Sequence, residues 1–66
     1  MTFAYQLSQF RGYDSARIGD YATAAKFYEL AVEQFPKTRG SQQTREFKRL
    51  ARIAANYRAK AREQGT

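Results

Sequence analysis

The stretch of sequence that decides the fold is residues 19–36, GDYATAAKFYELAVEQFP. Its apolar side chains recur at intervals that place them on one face of an α-helix, and they are Tyr21, Ala24, Ala25, Tyr28, Ala31, Val32 and Phe35. Asp20 is a good N-cap, because its carboxylate can accept hydrogen bonds from the free N–H groups of the first turn. Pro36 disfavours the α conformation in the residue before it. The pattern therefore predicts a helix over about residues 20–35.

A first helix is predicted over about residues 3–18, before a corner at Gly19. Its large apolar residues form an imperfect face that we assign to the core, and they include Phe3, Leu7, Phe10 and Tyr13. Gly12 weakens this helix by about 1 kcal/mol relative to alanine. It indicates either a close approach of another helix or a break in this one.

A third helix is predicted over about residues 41–63, with Ser41 as its N-cap. Its apolar positions alternate between spacings of three and four, and they are Phe47, Leu50, Ala54, Tyr57 and Ala61. Phe27 and Leu30 lie off the main stripe of the helix over 20–35, so that helix should pack between the other two. Because no run alternates with period two, the predicted fold is all-α: a single three-helix bundle comprising residues 1–66.

The amino-acid composition argues against several classes of function. The 66 residues include no cysteine and no histidine, which argues against disulfides and thiolate metal sites, and we predict neither a metal nor a cofactor. No segment approaches the ~20 consecutive apolar residues of a membrane span, so we expect a cytoplasmic protein without membrane insertion. Glu29 and Glu33 are one turn apart, but no nucleophile or base accompanies them. We therefore predict that the chain is not an enzyme.

The net charge of +6 is concentrated in the third helix. Residues 41–66 hold seven Lys and Arg against two Glu, whereas residues 1–40 hold five Lys and Arg against four acidic residues. Such a field favours acidic partners. The densest part of it consists of Arg45, Lys48, Arg49 and Arg52. These side chains form either a binding surface for acidic groups or an ordinary solvated face with local pairing to Glu46.

The order Gly-x-Tyr-x-x-Ala-x-x-x-Tyr-x-x-Ala-x-x-x-x-Pro resembles a tetratricopeptide repeat over about residues 5–36. It is formed by Gly19, Tyr21, Ala24, Tyr28, Ala31 and Pro36. Gly12 occupies the position of the first-helix glycine of that repeat, whereas Ser8, Arg11 and Ser15 stand where the family usually has large residues. One repeat cannot bury its own faces, and the resemblance implies that the third helix acts as a cap.

The length and the third helix are also similar to the microtubule-interacting and transport (MIT) domain, a three-helix bundle. Tyr57, Lys60 and Ala61 resemble its Tyr-x-x-Arg-Ala pattern, with lysine in place of arginine. This resemblance implies binding of short peptides in grooves between helices, with Phe27 and Leu30 lining a groove beside helices two and three.

The sequence therefore predicts a non-catalytic protein–protein interaction adaptor. We expect it to use the groove between helices two and three together with the basic third helix, and to bind a partner with an acidic or amphipathic helical segment. Self-association through exposed aromatic residues is left open. The alternative is a small basic nucleic-acid-binding protein whose third helix contacts phosphates.

Overall fold

The computed structural model describes residues 3–36 and 44–65. They form three helices: α1 (Ala4–Arg17), α2 (Tyr21–Gln34) and α3 (Arg45–Gly65). The predicted all-α bundle is confirmed for these residues. The predicted cap Ser41 lies outside the described residues. Within them, α3 begins at Arg45. Thr44 has the capping role, since its Oγ1 accepts a hydrogen bond from the backbone N–H of Phe47 at 3.2 Å.

The corner between α1 and α2 is built as the sequence predicts. Gly19 has a positive φ of 84°, which glycine adopts without the steric cost of a side chain. The backbone N–H groups of Gly19 and Asp20 donate to the carbonyls of Ala16 and Ser15 at 3.0 and 2.9 Å, a pattern that satisfies the free carbonyls at a helix end. Asp20 then caps α2, because its Oδ1 accepts from the N–H of Thr23 at 3.2 Å.

Helix α2 is the central element of the bundle. Both α1 and α3 pack against it along much of their length, while α1 and α3 make little direct contact with each other. Helix α2 therefore lies between α1 and α3, as predicted.

The core lies mainly between α2 and α3. Leu50 is its largest completely buried side chain, with 0% exposure, and it lies in a cluster with Tyr28, Ala31, Phe35 and Ala54. Aromatic rings extend this cluster in both directions, with centroid distances of 4.7 Å for Tyr5–Phe35, 5.6 Å for Phe35–Phe47 and 5.5 Å for Tyr28–Tyr57. Burial raises the pKa of Tyr28 above its ordinary value, and the neighbouring Tyr57 adds a smaller increase. The phenol of Tyr28 therefore stays neutral.

Small side chains form the contact between α1 and α2. The helix runs through Gly12 without a break, and a Cβ at this position would lie only 2.8 Å from a ring carbon of Tyr28. The close-approach interpretation of Gly12 is therefore the one observed. One turn earlier, the Ser8 hydroxyl is 6% exposed and donates to Oε1 of Gln34 at 2.6 Å.

The outward face of α1 differs from the prediction. The large apolar residues assigned to the core are 55–62% exposed, namely Phe3, Leu7, Phe10 and Tyr13. That assignment is wrong because the interface with α2 is formed by the small residues on the other side of α1, where Ser8 and Gly12 allow the two backbones to approach. An apolar surface is thereby left in contact with water.

Candidate interaction surfaces

The four basic residues singled out from the sequence come together on α3. They line one open hollow of about 480 Å³, all four are exposed, and we call them the basic quartet: Arg45, Lys48, Arg49 and Arg52. Leu50 and Ala54 on the opposite side of α3 are buried against α2. Because the core is built on one side of the helix, the four side chains of the quartet project from the other.

Local pairing neutralises a small part of this charge. Arg49 forms an ion pair with Glu46 at 3.0 Å, and both side chains are about half exposed. Within residues 3–36 and 44–65, Arg45, Lys48 and Arg52 have no carboxylate at ion-pair distance. These three cations of the quartet are therefore available to a ligand. The exposed Arg49–Glu46 pair itself contributes little to stability.

Two of the three basic residues further along α3 have structural partners. Arg58 forms a two-pronged ion pair with Glu29 of α2. The ammonium group of Lys60 lies 5.3 and 5.8 Å from the ring centroids of Tyr21 and Tyr57, a cation–π geometry. The two tyrosine rings stack on each other at 5.7 Å. The positive surface that remains open is thus concentrated in the first half of α3.

The Glu29–Arg58 pair makes a pH-dependent contribution to stability. The hydrogen bonds from Arg58 lower the pKa of Glu29 below its ordinary value of 4.5. A lowered folded-state pKa stabilises the fold above the unfolded value, and this stabilisation is lost as the pH falls through the folded value.

We therefore expect Glu29→Gln to reduce the free energy of unfolding slightly at neutral pH and to cost progressively less below pH 4.5. Chemical denaturation at several pH values measures this difference. Glu33→Gln is the matched control, since Glu33 is exposed and has no ion pair within the described residues. A cost of Glu29→Gln that stays constant from neutral pH to strongly acidic pH would contradict the assignment.

A shallow groove of about 330 Å³ lies beside the quartet, between α2 and α3. We call it the alanine groove, and its lining residues are Val32, Ala51, Ala54 and Ala55, with Glu29 and Arg58 at the rim. Alanine side chains leave room for another backbone to come close. Val32 and the individual alanines were not predicted as groove residues from the sequence, although three alanines within five positions of α3 were a usable signal.

Phe27 and Leu30 do not line this groove. Leu30 is 38% exposed and borders a different hollow, of about 230 Å³, together with residues of α1 such as Leu7 and Arg11. Phe27 is half-buried and precedes Leu30 by three positions, which places it on the same side of α2. The sequence placed this arc of α2 beside α3, whereas Leu30 borders a hollow shared with α1.

Other kinds of site find no support in residues 3–36 and 44–65. This part of the chain holds no group of acidic residues that could bind a metal ion, and none of its helices is long and apolar enough to span a bilayer. Comparison of the chain with protein-family profiles, curated proteins and solved structures gave no match.

Proposed function

We propose that this protein is a non-catalytic interaction adaptor that binds an acidic, amphipathic helical segment of another protein on α3. The observation that carries the proposal is the adjacency of the basic quartet to the alanine groove. Lys48 precedes Ala51 by three positions and Arg52 precedes Ala55 by three, the spacing at which side chains are neighbours on a helix surface. An amphipathic ligand helix has an apolar face and an acidic face, and each suits one of these two surfaces. Its apolar face would pack on the groove and its carboxylates would meet the quartet.

The chemistry of the two surfaces suits such a ligand. Helix-in-groove binding uses apolar anchors spaced three and four residues apart, and the small floor residues Ala51 and Ala55 allow such anchors to approach. Exposed charges at the edge of an interface mainly raise the association rate and select the partner. The groove would then supply affinity, and the quartet would favour acidic partners over basic ones.

The family resemblance points in the same direction. MIT domains bind peptides in grooves between helices, one common site being beside helices two and three, and the alanine groove is likewise bounded by α2 and α3. In this proposal Val32 and Ala55 take the groove role that the sequence assigned to Phe27 and Leu30, because the latter two do not line the groove. The cytoplasmic location and the absence of catalysis stay predictions from the sequence.

A charge-reversal pair tests the role of the quartet. We expect Lys48→Glu/Arg52→Glu to raise the dissociation constant of an acidic amphipathic helical peptide at least about tenfold, equivalent to about 1.4 kcal/mol. The cause is that two attractive contacts become repulsive. Fluorescence anisotropy with a labelled synthetic peptide measures the change.

Arg11→Glu/Lys26→Glu is the matched control, because it changes the net charge equally at exposed positions of α1 and α2. Equal weakening by both pairs would mean that only overall charge matters, and the proposed site would be wrong. No binding of the acidic peptide by the unaltered protein would also refute it.

Nucleic-acid binding is the second candidate, favoured by the three quartet cations without carboxylate partners. Neutralising phosphates releases counterions, so the affinity for a DNA or RNA oligonucleotide would fall steeply with salt. A titration at several salt concentrations distinguishes the two candidates. Strong oligonucleotide binding with a steep salt slope, together with no peptide binding, would replace the adaptor proposal by this alternative.

A further inference from the structure

The outer side of α1 carries a second, separate surface. Five of its residues follow alternating spacings of four and three, and we call them the α1 outer face: Phe3, Leu7, Phe10, Asp14 and Arg17. All five are exposed. The first three residues are apolar and follow the spacing of a coiled-coil seam, and Asp14 and Arg17 continue the same stripe with charged side chains. The face is therefore patterned for a partner helix, although α2 occupies the opposite side of α1.

The size of the exposed apolar surface is also unusual for so small a chain. The side chains of Phe3, Leu7, Phe10 and Tyr13 are more than half exposed, which leaves on the order of 500 Å² of mostly apolar area in water. Pairing two such faces would bury about 1,000 Å² in total, which is at the lower end of the range for specific interfaces.

The distribution of charge indicates which partner this face accepts. Two copies of a chain with net charge +6 repel each other, and most of that charge lies on α3. The α1 outer face carries one acidic and one basic residue, so it is neutral. Because α2 separates α1 from α3, contact through α1 keeps the two basic helices on the far sides of the assembly.

We propose that the α1 outer face pairs with the same face of a second copy in an antiparallel, two-fold arrangement centred on Phe10. In such an arrangement, contacts between different residues occur twice. Leu7 of each copy would pack near Tyr13 and Asp14 of the other. Phe3 would lie beside the guanidinium of Arg17, a favourable cation–π partner.

This surface is distinct from the proposed peptide site, and the dimer would present two basic quartets pointing outward. The peptide-binding proposal and the dimer proposal can therefore be refuted independently. Lys48→Glu/Arg52→Glu should leave dimerisation intact, whereas a change in the α1 outer face should leave the intrinsic affinity of each quartet for peptide unchanged.

Analytical ultracentrifugation over a wide concentration range gives the first test. We expect the mass to rise from 7.6 kDa toward twice that value, and Leu7→Asp/Phe10→Asp to raise the dimer dissociation constant at least about a hundredfold. Ala22→Asp is the control, since it adds a carboxylate at an exposed position of α2. Salt screens the repulsion between the copies, so the dimer should be at least as tight at high salt.

Cysteine cross-linking tests the orientation and also decides the matter if the double aspartate variant does not fold. The chain has no cysteine of its own. In the antiparallel arrangement, Gln6 of one copy lies opposite Asp14 of the other, while two Gln6 positions are eight residues apart, or about 12 Å. That distance exceeds the roughly 7 Å between Cα atoms that a disulfide can bridge.

A mixture of Gln6→Cys and Asp14→Cys should therefore form disulfides faster than either variant alone. A mixture of Asn56→Cys and Asp14→Cys, with one cysteine on α3, is the control and should not. Three outcomes overturn the proposal: a monomer at every concentration, a dimer that survives Leu7→Asp/Phe10→Asp in a folded protein, or equal cross-linking in the mixed and separate samples.

Discussion

Replacing Leu50 by alanine is expected to leave the protein largely unfolded at 25 °C. Leu50 has no solvent exposure and lies among Tyr28, Ala31, Phe35 and Ala54. Truncation of a buried leucine costs about 2–5 kcal/mol, because apolar contacts are lost and a cavity remains. A core of this size rarely supplies more than about 3–5 kcal/mol of net stability. This one substitution can therefore remove the whole net stability of the fold.

Far-UV circular dichroism and urea denaturation measure this effect. Ile18→Ala provides the control, because Ile18 is 81% exposed and such surface changes usually stay within about 0.5 kcal/mol. A Leu50→Ala variant as helical and as resistant to urea as Ile18→Ala would show that the α2–α3 packing described above does not hold the fold together.

Replacing Gly12 by alanine is expected to destabilise the protein by about 1–3 kcal/mol through overpacking. Helix propensity alone predicts the opposite sign, a gain of about 1 kcal/mol. The new Cβ would lie 2.8 and 2.9 Å from two ring carbons of Tyr28 and 3.2 Å from the carbonyl oxygen of Ala24. The ring has little freedom to yield, since it is buried and stacked on Tyr57.

Thermal and urea denaturation give the sign directly. Gly65→Ala is the matched control, because nothing lies within 4 Å of a Cβ there, and its stability should be equal or slightly higher. If Gly12→Ala stabilises the protein as Gly65→Ala does, α1 and α2 are farther apart at this crossing than the structure places them. Gly12→Val should be worse than Gly12→Ala, because it adds two further methyl groups to the same contact.

Helix α2 could be predicted nearly to the residue because its signals are local. The cap at Asp20, the turn at Gly19 and the stop at Pro36 act within a few positions of the helix ends, and they do not depend on the rest of the fold. The pairing of Arg49 with Glu46 could be anticipated for the same reason. The bond between Glu29 and Arg58 could not, since it depends on how α3 lies along α2.

The orientation of α1 could not be predicted from the sequence, because two faces of this helix are each suited to packing on α2. Hydrophobicity favours burial of Phe3, Leu7 and Phe10, whereas close packing favours Ser8 and Gly12. Close packing decides the outcome here, since the ring of Tyr28 fills the space that Gly12 leaves. The same uncertainty explains the misplacement of Leu30, whose neighbour depends on which side of α2 receives α1.

The arrangement of α1 and α3 on opposite sides of α2 also constrains how the chain folds. Each of these helices packs on a neighbour in sequence, and such local contacts close without a large loss of chain entropy and favour rapid folding. Two half-folded forms are compatible with this architecture, α1 on α2 or α2 on α3, and both contain α2. Amide protons of α2 should therefore exchange with solvent most slowly, because releasing either outer helix alone leaves α2 packed against the other.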